Sequence, residues 1–206
     1  MNSQITIIHA DKSPELCEIL HDICICMEAI GGYATMLVDG SATFNPGDYA
    51  TIESRRGHFQ VRLPIYGPIT SALQGSNPNA IQIQKELKNE PKRYAVYSSR
   101  LKQPIESVFA SNFLRYYVIG EAKLISSVGS DWSWGDNWRF AWAIRNALAH
   151  NGRIEFRNAQ KRAVEWDGLR YDASNNQHPV FEQDIGPADL ISLMIDMDNE
   201  LRRISS

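Results

Sequence analysis

The sequence predicts a mainly α fold: an up-and-down bundle of four long helices carrying small β-hairpin elaborations. Three observations lead there. Four segments repeat apolar residues at helical spacing, three of them open on a proline just inside the first turn, and the competing alternating runs are all short. At 206 residues the chain suits a single domain, residues 1–206, with a core of its own. Residues 41–100 carry none of the four stripes and read as an insertion or elaboration within that domain.

Taken in order, Gln4 to Ile8 is a short β-like run. Ser13-Pro14-Glu15 then starts a helix, with Ser13 as N-cap. Leu16, Ile19, Leu20, Ile23 and Met27 form its apolar stripe, which Gly31-Gly32 interrupts, so the helix is expected from Pro14 to Gly31. Cys17, His21 and Cys24 share one flank. With no fourth ligand evident they read as core residues rather than a metal site. Residues 40–48 have loop composition. The run from His58 to Ile65 alternates like a half-buried strand, and Arg55-Arg56-Gly57 is the turn from a partner strand over Tyr49 to Ser54. After a loop at Gln74 to Ala80, the segment to Glu90 reads as a short helix or irregular chain.

Pro104 opens the second long helix, to Val128, and Gly129 to Asp136 breaks it. Trp134 to His150 is the third. Trp132, Trp134, Trp138 and Trp142 crowd its approach, either exposed as an interface or buried under the loops. Val164-Glu165-Trp166, Asp167-Gly168 and Leu169-Arg170-Tyr171 are two alternating runs around a two-residue turn, a hairpin signature. Gly186-Pro187 opens the last helix, to Arg203, striped by Leu190, Leu193, Met194, Met197 and Leu201.

Composition narrows the function. Hydrophobic content of 43% with 22% charged residues fits a water-soluble globular protein. A net charge of −3 argues against bulk nucleic-acid affinity, so any RNA contact must come from a local basic patch. No apolar run is long enough to span a bilayer. Three cysteines do not make a disulfide framework, and the N-terminus lacks signal-peptide character; a reduced cytoplasmic setting is expected.

The stretch from Phe140 to Gly152 holds the chemistry. Phe140, Ala141, Ile144, Ala147 and Leu148 form an apolar arc, and Asn151-Gly152 is a stop signal, since a helix C-terminus commonly needs a left-handed residue. A bland helix end does not explain Arg145-Asn146 followed by His150: a fixed cation, an amide and an acid/base group. At about 100° per residue, Asn146 and His150 share a face while Arg145 and His150 stand about 140° apart. Either the arginine bends across Ala149 or a second copy of the helix brings the groups together. The bland alternatives are a dipole-complementing cap for His150 and an interhelical ion pair for Arg145.

This Arg-Asn-x-x-x-His pattern, at a helix end and followed by Asn-Gly, resembles the HEPN superfamily. Its nucleases carry an arginine, a polar residue and then a histidine near the end of a helix in a small helical bundle. The resemblance implies a HEPN-like fold and metal-independent RNA cleavage by 2′-hydroxyl attack, without a cofactor. Arg145, Asn146 and His150 would be the catalytic residues. It also implies a homodimer pairing two motifs in one cleft, a role in toxin–antitoxin or antiviral defence, and a cognate antitoxin or regulatory protein. Arg153, Arg157, Lys161 and Arg162 follow closely and supply a candidate RNA-binding patch. Related HEPN domains bind nucleotides, RNA or partner proteins without cutting, and that is the alternative expectation.

Overall fold

The computed structural model describes residues 3–39, 47–64, 66–88, 102–130, 133–156 and 162–205. Chain order begins with β1 (Ser3–His9), α1 (Pro14–Asp39), β2 (Tyr49–Glu53), β3 (Phe59–Pro64), α2 (Tyr66–Leu73) and β4 (Ala80–Leu87). It continues with α3 (Lys102–Val128), α4 (Asp136–Ala149), β5 (Val164–Trp166), β6 (Leu169–Tyr171), α5 (Val180–Gln183) and α6 (Pro187–Ser205). The loop expectation at residues 40–46, Ile65, Trp132, Arg157 and Lys161 lie outside the described residues.

The expected mainly α bundle is corrected: the fold is mixed α/β. Helices occupy all four striped segments, and α3 packs on α1, α4 and α6. A four-stranded antiparallel sheet in the order β1-β4-β3-β2 shares the core with them, against α1 and α6. Its inward row is Phe59, Val61, Leu63, Ile81, Ile83 and Ile8, all buried. Lys85 ends that row. Its ammonium lies 4.0 Å from the Phe59 ring centroid and donates to Ser192 Oγ at 2.8 Å, so the charge leaves the apolar layer toward α6.

Two elements explain the miss. β4 reads Ile-Gln-Ile-Gln for only four residues before a charged, helix-favouring stretch. What makes it a strand is its position between β1 and β3, with Ile8 opposite Ile81 and Val61 opposite Lys85. Pairing across more than seventy residues of sequence overrides local preference. In α1, Gly31-Gly32 does not stop the helix, which continues to Asp39.

The interior between the helices is aromatic. Trp138 is fully buried, its ring 5.7 Å from that of Tyr117 and 6.3 Å from that of Tyr116, and its indole N–H donates to the Met197 carbonyl at 3.0 Å. Gly120 is what lets α3 approach, because a methyl there would run into the Trp138 ring. Cys17 and Cys24 belong to the core, and His21 Nε2 lies 2.8 Å from the Pro68 carbonyl oxygen. Among the described residues no helix is long and apolar enough to cross a membrane.

Candidate active site at the end of α4

Both ends of α4 are held by other parts of the chain. At its start, Gly135 is the N-cap and offers no side chain; the Glu200 carboxylate on α6 accepts the Asn137 backbone N–H instead, at 3.2 Å. This caps the helix from a distance, and a Cβ at Gly135 would collide with that carboxylate. Burial pushes the Glu200 carboxyl above its ordinary value, although the Asn137 hydrogen bond opposes the shift. Along the helix, Trp138, Phe140, Ala141, Ile144 and Ala147 are buried, and Phe140 stacks on Tyr171 at 5.5 Å and meets Trp166 at 5.6 Å. The β5–β6 hairpin is therefore the wall that fixes which face of α4 remains outside. It turns on Asp167 and Gly168, both left-handed, as a two-residue hairpin requires.

At the other end, His150 is the C-cap, and Asn151 (φ 55°) and Gly152 (φ 75°) are left-handed. The Gly152 N–H returns to the Ala147 carbonyl at 2.8 Å, the longer bond of a Schellman stop. The chain then doubles back. Ile154 N–H donates to the His178 carbonyl at 3.0 Å, Gln177 N–H to the Ile154 carbonyl at 2.8 Å, and Val180 N–H to the Gly152 carbonyl at 2.9 Å. Phe156 N–H donates to the Asn176 side-chain oxygen at 3.1 Å. In this extended segment Ile154 and Phe156 are buried, so Glu155 between them must face the other way. Its carboxylate meets His150 Nε2 at 2.7 Å.

The expected catalytic residues are placed as follows. Arg145 is exposed and donates from Nη1 to Asn146 Oδ1 at 3.0 Å, so the arginine folds onto its neighbour rather than across Ala149. His150 is 39% exposed at the side chain and Glu155 23%, a pair open to solvent on one side. Of the expected basic patch, Arg153 and Arg162 are exposed, and Arg153 donates to the Gln177 carbonyl at 2.9 Å. Trp134 and Trp138 are buried and Trp142 is half-buried, so an interface of exposed tryptophans does not form from these three.

Sequence reasoning missed Glu155. The signal was present: an outward residue between two apolar ones, directly after a reversing Asn-Gly, comes back alongside the helix end it has just left. It also missed a histidine–carboxylate contact elsewhere. His58 Nε2 lies 2.6 Å from Asp167 Oδ2, Arg56 donates to the Asp167 carbonyl at 2.7 Å, and His58 Nδ1 is 3.2 Å from Ser54 Oγ. Ser54, His58 and Asp167 have the composition of a hydrolase triad, but Ser54 is buried and its oxygen accepts the Phe59 N–H at 3.2 Å. That hydroxyl organises a turn and meets no substrate.

A cleft of about 390 Å³ opens at the start of α4, not at its end, among Asn137, Trp166, Asp167, Asp196, Glu200 and Arg203. Its three carboxylates make it a poor seat for phosphate. The candidate site at the C-terminal end of α4 therefore rests on the residues gathered there and not on this cleft. No family model, no curated protein and no solved structure matches the chain.

Proposed function

We propose that the chain is a metal-independent endoribonuclease of the HEPN type, acting through Arg145, Asn146 and His150. The observation that carries this reading is the wiring of α4. One face and both ends are held by packing and hydrogen bonds, while in its last turns Arg145 is exposed and Asn146 and His150 are half-buried, all three off the core.

In the proposed reaction the RNA 2′-oxygen forms a bond to phosphorus and the bond from phosphorus to the 5′-oxygen breaks. One proton leaves the 2′-hydroxyl and one reaches the departing oxygen, so His150 serves as the relay. Arg145 offers charge and a forked donor to the phosphorane-like transition state, and Asn146 holds a phosphate oxygen or the arginine itself. Pairing two α4 ends in a homodimer would supply a second histidine and arginine to the same phosphate. Arg153 and Arg162 would contact the RNA backbone. A defence or toxin role under a protein inhibitor fits an activity carried on so open a surface.

The test is purified protein with mixed RNA in excess chelator. Cleavage should persist, spare a DNA copy of the substrate, and leave 2′,3′-cyclic phosphate and 5′-hydroxyl ends. Folded His150→Ala protein that cuts as fast as wild type would overturn the proposal, and a monomer in sedimentation at micromolar concentration would remove the paired cleft.

A further inference from the structure

From the contact between His150 and Glu155 we infer that Glu155 is a positioning residue that fixes the His150 tautomer and makes Nδ1 the nitrogen that exchanges protons with RNA. The chemical half of this rests on the ribonuclease reading; the tautomer half does not. Nε2 lies 2.7 Å from a Glu155 oxygen, and Nδ1 has no protein partner among the described residues. A carboxylate at that distance repels a ring lone pair and attracts an N–H, so the neutral ring keeps its proton on Nε2 and leaves the Nδ1 lone pair for RNA. As a base, Nδ1 takes the 2′-hydroxyl proton and the ring becomes an imidazolium ion-paired with Glu155. As an acid, the same Nδ1–H returns the proton to the 5′-oxygen, and the ring is neutral again with Nε2–H still in place. No proton is lost or gained over the cycle, and none has to pass to Glu155.

The geometry around Glu155 is built for constancy. Its backbone runs between Ile154 and Phe156, both buried, in a segment tied to residues 176–180 by the four hydrogen bonds described above. The histidine is equally constrained, because it is the C-cap of a helix whose stop bond is closed by Gly152. The backbone at both residues is thus held, which keeps the two side chains within reach of one another. The other two carboxylate-held histidines serve as internal references: His58 Nε2 against Asp167 and His178 Nε2 against Asp184, each at 2.6 Å.

The experiment is nitrogen-15 NMR of histidine-labelled protein at alkaline pH, where imidazoles are neutral, with RNA cleavage measured on the same samples in chelator. His150→Gln assigns the resonance. Wild type should show His150 protonated on Nε2. Glu155→Ala should give a mixture of tautomers and cut roughly tenfold or more slowly, a smaller loss than removing His150. Glu155→Gln, whose carbonyl still accepts from Nε2, should keep more of the tautomer and of the rate. Unshifted His58 and His178 signals certify the fold. His150 protonated on Nδ1 in wild type would overturn the inference while leaving the nuclease reading intact. The expected spectra with no cleavage by wild type would sink the nuclease reading, and with it the role given to Nδ1. Full activity in a folded Glu155→Ala protein of mixed tautomer would overturn the positioning role alone.

Discussion

His150–Glu155 and His58–Asp167 are histidine–carboxylate pairs of nearly equal length, 2.7 and 2.6 Å, set in different surroundings. His58 spends both ring nitrogens inside the protein, one on Asp167 and one on Ser54, and Arg56 adds a second cation to the same carboxylate. Partial burial on its own would raise the Asp167 carboxyl. The His58 hydrogen bond and the charges of Lys85, His58 and Arg56 instead hold it below the usual carboxylate range. The pair joins two turns, one between β2 and β3 and one between β5 and β6. His150 spends one nitrogen and keeps the other outward. Two contacts of similar length thus differ in what the second ring nitrogen meets, and that is what separates a seam from the proposed proton carrier.

Four experiments press on that contrast. His150→Ala should carry the largest effect: cleavage falls on the order of a hundredfold or more while unfolding free energy changes by no more than about 0.5 kcal/mol. Unchanged cleavage in folded His150→Ala protein instead would make this pair a seam like the other.

The seam's own anchor is Asp189, which is buried and accepts the Arg55 N–H at 2.7 Å and the Gly186 N–H at 2.9 Å. Burial pushes its carboxyl up to about 6, against the pull of those hydrogen bonds and of His58 and Arg56. The folded protein thus holds this proton more tightly than the unfolded chain does. Stability from this group is greatest below about pH 4 and declines as pH rises through about 6, by about 3 kcal/mol in all. Asp189→Asn should flatten that part of the profile in denaturant titrations between pH 4 and 7; an unchanged slope would relieve Asp189 of the role.

Gly135→Ala pushes the Glu200 carboxylate off the Asn137 N–H and should cost about 1 kcal/mol, the loss of a helix cap, read as a lower melting temperature. The smallest effect belongs to His58→Ala. Its pair is partly open to water, so the loss should stay below about 1 kcal/mol, and RNA cleavage should be unaffected. Slowed cleavage in His58→Ala would erase the distinction between the two pairs.

What the chain revealed before its structure follows from distance along the sequence. The stripe of Leu16, Ile19, Leu20 and Ile23 names a helix because its partners lie one turn apart, and Asp167-Gly168 names a hairpin because the turn contains its own instruction. The same locality exposed Arg145, Asn146 and His150. Glu155 lies only five residues beyond His150, but reading it needed the reversal at Asn151-Gly152 to be followed through to where the chain returns. The β2–β3 pair was legible across its short turn, but the whole sheet was not, since Ile8 gains its meaning from Ile81 far along the chain. His58 and Asp167 stand 109 residues apart, and nothing near either announces the other.

The carboxylate that caps α4 comes from the last helix of the described chain, and this sets an order in time. On a ribosome the segment 136–150 emerges before α6 exists, so its first turn lacks the Glu200 acceptor and Trp138 lacks the Met197 carbonyl. The nascent protein holds the letters of the motif without the frame that orients them. Whatever α4 does at its far end therefore becomes available only once translation has supplied α6.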